Sequence, residues 1–473
     1  MRKNSHSMQR IRDPLHDLIQ FNMQDELEQM LWEVAQTFPF QRLRRIKQLG
    51  FSDLVYPGAT HSRYAHSLGV YHTAHQLLDR IERQMSTRSH SKRQQSLAAA
   101  LLHDLGHGAF SHAFEKVGKK LKLEMANHEL VSDALIRNSE VTPILNRLGK
   151  GFAEDVADII QGIGEKTIYN AVVSSQFDAD RLDYMRRDRL MSGTQHSAID
   201  FEWLLANLEI GTVSTGVDDK KIGHVDTIVL GPKAVHAAEA YVLGLFQLYP
   251  TVYLHKATRG AELLFVELIS RVVTLCQNGE SKLTGLPNLH PLVKFAKKPT
   301  ELERALELDD AVIWGALPML KEAKDKVIAE FAERLQARKL FKCVDVQVEL
   351  GKSINPKGSD DTAKLKSIDV ASARAILAID EWNSRHSSDT KRILIDQYSR
   401  TPYKSVEDTD GPLDQIHIKT ASGELVDLKK RSKVVDALTP FKIVRAYVAD
   451  NDDDARNALK KIIEEACDEK QAS

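Results

Sequence analysis

A histidine followed directly by an aspartate, His103-Asp104, is the part of this sequence best suited to chemistry. The pair ends an apolar stretch, where a buried carboxylate requires a partner. His66 precedes the pair and Asp180 follows it, so two imidazoles and two carboxylates are available. Such a donor set suits one divalent metal ion, and the ligand types accept Mn²⁺, Fe²⁺, Zn²⁺, Ni²⁺ or Mg²⁺. The four residues predict the metal centre of a phosphohydrolase and leave the identity of the metal open.

Three helices are expected to position these ligands. Apolar residues recur at spacings of three and four over most of the first two-thirds of the chain, which predicts helices over 61–85, 94–105 and 177–190. The helix over 94–105 is apolar on nearly all sides, which is typical of a buried central helix. Two further histidines of the first helix, His72 and His75, do not share the face of His66, and we interpret them as core residues.

The predicted helix over 177–190 is rich in charged residues. Arg186 and Arg189 are predicted to be solvated, and a solvated charged face is also the alternative for Asp183 and Arg187. The residues that share or border the face of Asp180 are Tyr184, Arg187 and Asp188.

The character of the sequence changes near residue 340, from helical spacing to short alternating segments. We therefore predict a mainly α protein with a helical core over 1–340 and a smaller C-terminal α+β region over 341–473. A hairpin with its turn at Gly216–Asp219 is expected inside the core, over 213–230. The segments predicted after 340 are strands at 343–348, 393–395, 415–418 and 441–448, a polar loop at 351–367, and helices at 371–382 and 453–466.

Composition excludes some partners. The 65 basic and 66 acidic residues nearly cancel, so net charge lends no support to a nucleic-acid partner. No apolar run reaches the roughly 20 residues that span a bilayer, the first nine residues are polar, and the three cysteines lie far apart. We expect a cytoplasmic protein without a membrane partner.

Two segments resemble a known family, the HD-domain deoxynucleoside triphosphate triphosphohydrolases, which include the vertebrate sterile-alpha-motif/HD enzyme and bacterial relatives. They are Phe40–Gly50 (FQRLRRIKQLG) and Tyr56–Val70 (YPGATHSRYAHSLGV), followed in the expected order by His103–His112, His128-Glu129 and Asp178–Asp188. The similarity covers about residues 10–275 and extends weakly to 339–342, without the sterile-alpha-motif domain.

The resemblance implies roles for individual residues. His66, His103, Asp104 and Asp180 would hold the metal, and His128 would be the general acid/base, supported by Glu129. His107 would stabilise charge on the phosphoryl group, and Glu115 would help to orient these histidines. An imidazole with a pKa near 6.5 is suited to moving a proton at neutral pH. The substrate-binding residues implied by the resemblance are Gln48, Leu49, Arg63, His112, Arg181, Tyr184, Asp188 and Tyr253.

This sequence departs from the family pattern at four positions. Leu245 stands where the family has an arginine that holds the triphosphate, and Tyr249 stands where it has a histidine. Gln36 and Trp203 replace charged groups that read a guanine activator in the vertebrate enzyme. The family's allosteric activation is therefore not expected here.

The leading hypothesis is a triphosphohydrolase that converts dNTPs to deoxynucleoside and triphosphate. The alternative enzyme is an HD-family phosphatase or nucleotidase that acts on another phosphoester, as Leu245 suggests. A third alternative is a non-catalytic nucleotide- or nucleic-acid-binding protein that retains the fold. The resemblance also implies a homo-oligomer, a dimer or higher.

Overall fold

The structure, a computed structural model, describes residues 7–217, 220–354, 361–386, 390–401, 403–404 and 415–467. The chain forms two compact units. The first comprises the described parts of Met1–Tyr253, Lys298–Ile313 and Pro402–Leu438, and the second those of Leu254–Lys297, Trp314–Thr401 and Thr439–Ser473. The division at residue 340 stays a prediction.

Helices dominate the described residues, which confirms the mainly α fold. They are α1 Glu26–Gln36, α2 Phe38–Arg42, α3 Arg63–Glu82, α4 His90–Leu102, α5 His112–Leu121, α6 His128–Arg137, α7 Val141–Leu145, α8 Phe152–Gln161, α9 Ile168–Ala171, α10 Ala179–Ser192, α11 Phe201–Ala206, α12 Val235–Leu248, α13 Lys256–Gln277, α14 Pro291–Lys297, α15 Leu302–Leu306, α16 Asp310–Lys321, α17 Lys326–Gln336, α18 Val346–Ser353, α19 Asp361–His386, α20 Leu428–Arg431, α21 Lys433–Asp436 and α22 Asp453–Cys467.

The strands are short and are divided between the two units. They are β1 Met8–Asp13, β2 Asp17–Asn22, β3 Leu208–Val217, β4 Lys220–Leu230, β5 Lys342–Asp345, β6 Ile393–Arg400, β7 His417–Lys419, β8 Leu425–Asp427 and β9 Phe441–Val448. In the first unit, β1 and β2 form an antiparallel hairpin and a second sheet has the order β3-β4-β7-β8, in which only β4 and β7 are parallel. In the second unit, β9 lies between β5 and β6, antiparallel to both.

Local signals explain where the helices of the site begin and end. The side chains of Ser62, Ser89 and Asp178 accept backbone N–H groups in the first turns of α3, α4 and α10, respectively. Gly193 ends α10 in the left-handed conformation, with φ of +73°. The apolar residues 97–102 of α4 are all buried, as expected for a central helix. These three helices belong to the core of the first unit.

The second unit has an α+β part that confirms the predicted character of the C-terminal region. Helices α18, α19 and α22 share an apolar core with its sheet, in which Leu350, Ala375, Ile393 and Ala446 are fully buried. Among the described residues, no helix is both long enough and apolar enough to cross a membrane.

Three predictions of secondary structure require comment. The hairpin over 213–230 is present as β3 and β4, although its turn residues 218–219 lie outside the described residues. The predicted strand at 343–348 stops early, because the side chain of Asp345 accepts the N–H of Val348 and starts α18. The polar loop predicted at 351–367 is wrong at both ends, which belong to α18 and α19, and residues 355–360 lie outside the described ranges.

Candidate active site

Three of the predicted metal ligands meet at the ends and sides of three helices. His66 lies on α3, Asp180 on α10, and His103 directly follows α4. One ligand atom from each lies within 4.8 Å of the others. The Oδ1 atom of Asp180 is 3.0 Å from His66 Nε2 and 3.6 Å from His103 Nε2. Residues far apart in sequence are thus close enough to share one cation.

Asp104, the fourth predicted ligand, borders this group. Its Oδ1 atom lies 3.5 Å from His103 Nε2, and its Oδ2 atom lies 3.7 Å from His66 Nε2. The guanidinium of Arg63 donates from Nη1 to Oδ2 of Asp104 and from Nε to Ser111 Oγ, the latter at 2.8 Å. Arg63 is buried at this position. Its guanidinium is thus already paired with the carboxylate of Asp104, one of the predicted metal ligands.

The donor set fits a divalent metal ion. His103 donates from Nδ1 to the carbonyl of Ala100 at 2.9 Å, which leaves Nε2 of the neutral ring with the free lone pair. That Nε2 atom is buried and makes no hydrogen bond. Buried polar atoms without a partner are rare in folded proteins. Two imidazole nitrogens with carboxylate oxygens are ordinary ligands of the predicted metals.

Behind His66 lies a carboxylate that orients it. Asp183, fully buried on α10, accepts from His66 Nδ1 at 2.8 Å and thereby leaves Nε2 facing the other ligands. The same carboxylate accepts from His16 Nε2 at 2.6 Å and from Arg187 at 2.8 and 3.0 Å. Arg187 is in turn paired with Asp13 at 2.8 Å. Asp183 and Arg187 are therefore not a solvated face.

Electrostatics keep this carboxylate charged. Burial alone would raise the pKa of Asp183, but Arg187, His16 and His66 outweigh it and hold that pKa well below its usual value. For His66, burial lowers the pKa, and the hydrogen bonds to Asp180 and Asp183 overcome this and raise it to about 10. Arg186, predicted to be solvated, is half-buried, with its guanidinium 3.7 Å from the centre of the Phe201 ring.

Beside the metal ligands, three histidines surround one glutamate. The rings of His107 and His128 are stacked, with centroids 4.0 Å apart. Glu115 contacts His128 Nδ1 and lies 3.7 Å from His107 Nδ1 and 3.3 Å from His112 Nδ1. His107 also connects to the metal ligands, because its Nε2 atom is 3.2 Å from Asp104 Oδ1.

The two candidate supporting carboxylates of His128 differ in position. Glu129 lies on the exposed side of the first turn of α6, where its backbone N–H is capped by Asn127. Glu115, in contrast, points at the ring of His128 from α5. Glu115 is thus the carboxylate placed to orient His128.

The residues expected on the nucleoside side form a second cluster. Asp188 is buried on α10 and binds His61 Nε2 and the hydroxyl of Tyr253, each at 2.8 Å. The ring of Tyr253 meets that of Tyr184 edge to face, with centroids 6.3 Å apart. Burial, together with the charge of Asp188, raises the pKa of Tyr253 well above its usual value. His61 had not been predicted; its place five residues before His66, in the matching segment, was the available signal.

The other predicted substrate residues lie outside the cluster around Asp188. Gln48 and Leu49 are half-buried, and the N–H of Gln48 donates to the carbonyl of His61 at 3.0 Å. Arg181 pairs with the side chain of Asp178 and the carbonyl of Ser175. His112 is exposed beside Glu115, with 67% of its side-chain surface accessible.

Comparisons with known proteins show the family of this chain. The family model of the HD domain matches residues 63–185. The chain is 30% identical over 432 residues to the uncharacterized protein YwfO of Bacillus subtilis, covering 90% of this chain and 88% of YwfO. It belongs to the HD-domain family. The resemblance drawn from the sequence is thereby confirmed at the level of the family.

Two further comparisons extend the relationship. This HD-domain protein is 26% identical over 377 residues to the deoxynucleoside triphosphate triphosphohydrolase SAMHD1 of Gallus gallus, covering 72% of this chain and 57% of SAMHD1. A crystal structure of a phosphohydrolase from Bacteroides thetaiotaomicron shares its fold, with a TM-score of 0.69 at 24% identity, covering 93% and 99% of the two chains. The second comparison shows a shared fold over nearly the whole length of both chains.

A residue outside the HD match supports the loop after the His-Asp pair. Phe110 and Ser111 have φ of +54° and +55°, a backbone conformation that is strained for residues other than glycine. Asp310, at the start of α16, accepts the N–H of Phe110 at 2.6 Å and that of Lys47 at 2.9 Å. Burial raises the pKa of Asp310 to about 7. Sequence reasoning missed Asp310, since nothing local marks a residue 200 positions away as a partner of this loop.

Proposed function

We propose that this HD-domain protein is a metal-dependent hydrolase of deoxynucleoside triphosphates that releases deoxynucleoside and inorganic triphosphate. The observation that carries the proposal is the meeting of His66, His103 and Asp180 within 4.8 Å, beside Asp104 and the His107–His128 pair. The substrate class rests on the relationship to the SAMHD1 proteins, which are named deoxynucleoside triphosphate triphosphohydrolases.

The metal site is proposed to comprise His66, His103, Asp104 and Asp180. A bound divalent ion would polarise a phosphoryl oxygen and favour ionisation of water. Where a metal ion takes the place of the Nε2 proton of His66, Asp183 would keep the remaining proton on Nδ1, as a ligand requires, because it accepts from Nδ1. The carbonyl of Ala100 does the same for His103.

His128 is proposed to move the proton. Hydrolysis at the phosphorus next to the sugar breaks the P–O5′ bond, adds water to phosphorus, and requires a proton on the departing O5′ atom. Glu115, in contact with Nδ1 of His128, would hold its ring so that Nε2 gives that proton. Burial and the charge of Arg63 keep the pKa of His107 well below its usual value, so its neutral ring would place an uncharged dipole beside the phosphoryl group.

The nucleoside is proposed to lie against Tyr184 and Tyr253, with Asp188 holding the Tyr253 hydroxyl. Gln48 and Leu49 would contact the deoxyribose, where a 2′-hydroxyl is excluded. The groups proposed to bind the phosphates are Arg63, His112 and Arg181.

Incubation of the purified protein with each dNTP and NTP, under several divalent ions, tests the function. Products resolved by ion-exchange chromatography should be deoxynucleoside and triphosphate, from dNTPs and not from NTPs. His103→Ala, which lacks a proposed ligand, serves as the inactive control. Orthophosphate or pyrophosphate as the product would reject triphosphohydrolysis.

A phosphatase or nucleotidase acting on another phosphoester is the second candidate. It is favoured by Leu245, which is buried in the apolar part of α12 and offers no charge to a triphosphate. The same chromatography decides, because this candidate releases orthophosphate. We further propose that the protein is a homo-oligomer, which light scattering under assay conditions would refute by giving the mass of a single 53.2 kDa chain.

A further inference from the structure

A second set of metal-ligand side chains lies next to the first. It comprises His107, His112, Glu115 and His128, and one ligand atom from each lies within 4.8 Å of the others. Glu115 is at the centre, with Oε1 facing the Nδ1 atoms of His107 and His128 and Oε2 facing that of His112. Three ring nitrogens therefore converge on a single carboxylate.

One of these nitrogens has no hydrogen-bond partner among the described residues. His107 Nδ1 is buried and lies 3.7 Å from Glu115 Oε1, which is in contact with His128 Nδ1. The rings of His107 and His128 are stacked at an interplanar angle of 9°, and both Nδ1 atoms face the same oxygen, Oε1 of Glu115. A buried imidazole nitrogen without a partner, beside two further imidazoles and a carboxylate, suits a metal ion, which accepts lone pairs from several directions.

We propose that these four residues bind a second divalent transition-metal ion and that its binding blocks the proton transfer at His128. Three imidazoles and one carboxylate favour Zn²⁺ or Ni²⁺, whereas Mg²⁺ prefers oxygen ligands. The block rests on the proposed function, since it requires His128 to move the proton. The binding itself does not depend on that role.

The site is open to a cation from solution. Side-chain exposure rises outward from His107 at 2%, through Glu115 at 14% and His128 at 23%, to His112 at 67%. A cavity of about 380 Å³ lies beside it and is lined by Glu115, His128 and neighbouring residues of α5 and α6. A metal ion can therefore reach this set without displacing the ligands of the first.

Equilibrium dialysis of the full chain against Zn²⁺, followed by metal analysis, tests the proposal. The unmodified protein is expected to bind two zinc ions per chain. Both Glu115→Gln and His66→Ala should bind one, each losing a different ion. One zinc in the unmodified protein, or two in Glu115→Gln, would overturn the proposal.

Two more variants complete the design. His112→Ala removes an exposed ligand with little risk to folding and should weaken the second site at least about tenfold, even if Glu115→Gln fails to fold. His236→Ala is the matched control, because His236 forms the same i,i+3 pair with Glu239 at 2.9 Å but is 94% exposed. It should leave both zinc ions in place, and unchanged binding in His112→Ala would count against the site.

An activity measurement separates this proposal from the proposed function. Turnover supported by Mn²⁺ should fall over the zinc concentrations that fill the second site. If the second ion binds without slowing turnover, the proton-transfer role of His128 fails while the site stands. If no dNTP is hydrolysed at all, the proposed function fails and the zinc count still decides the site.

Discussion

Replacing Asp183 with asparagine should weaken metal binding, although it leaves all four proposed metal ligands unchanged. Asp183 accepts the Nδ1 proton of His66 at 2.8 Å, and its charge is maintained by Arg187 and His16. An asparagine of the same shape has no charge and can present an N–H to His66. It would then no longer hold the His66 tautomer with Nε2 free.

Two magnitudes follow. Loss of an outer carboxylate partner of a ligating histidine costs about 10- to 100-fold in metal affinity, or about 1.4 to 2.7 kcal/mol. Removing one partner of a buried ion pair costs about 3 to 5 kcal/mol of folding stability. Because Arg187 keeps Asp13 as a partner at 2.8 Å, we expect the lower end of that range, about 3 kcal/mol.

Asp13→Asn is the matched control. Asp13 pairs with the same Arg187 and is also buried, but it has no contact with His66 in the described structure. Metal affinity would be measured by competition with a chelator, and stability by urea unfolding of the chelator-treated protein. Asp13→Asn should lose stability and keep its affinity. Equal affinity losses in both variants, or none in Asp183→Asn, would refute the positioning argument.

The remaining predictions concern catalysis and pH. His128→Ala should abolish turnover with normal metal content, and near-wild-type rates would reject His128 as the acid. Glu115→Gln should lower kcat about 10²-fold, while Glu129→Gln should change it less than about threefold, since of these two carboxylates only Glu115 contacts His128. Steady-state kinetics measure both values, and a larger loss in Glu129→Gln would contradict the geometry. The folded pKa of Asp310 is raised from 3.8 to about 7, so its contribution to stability is full below pH 4 and is lost as pH rises to about 7. This difference between the folded and unfolded pKa corresponds to about 4 kcal/mol in the free energy of unfolding. Urea unfolding of Asp310→Asn at several pH values should lack this decline, and identical pH profiles for the two proteins would show that Asp310 ionises normally.

What the sequence determined by itself is local. Helical spacing and the apolar run of 97–102 indicated the helices that carry the ligands, because those signals act between near neighbours. An adjacent His-Asp pair with one upstream histidine and one downstream aspartate indicated a metal site from ligand chemistry. The resemblance then pointed to the HD-domain family, which the comparisons bear out.

Only the tertiary structure decided which charged side chains are buried and which residues they pair with. Asp183 and Arg187 lie on a helix that is charged along its length, and their burial depends on Asp13 and His16, more than 160 positions away. Glu115, and not the adjacent Glu129, contacts His128, because the fold brings Glu115 of α5 to the first residue of α6, whereas Glu129 is exposed. Local patterns carry no information about such pairings, since a charged side chain is stable in water or in a protein interior according to the partner that the fold supplies.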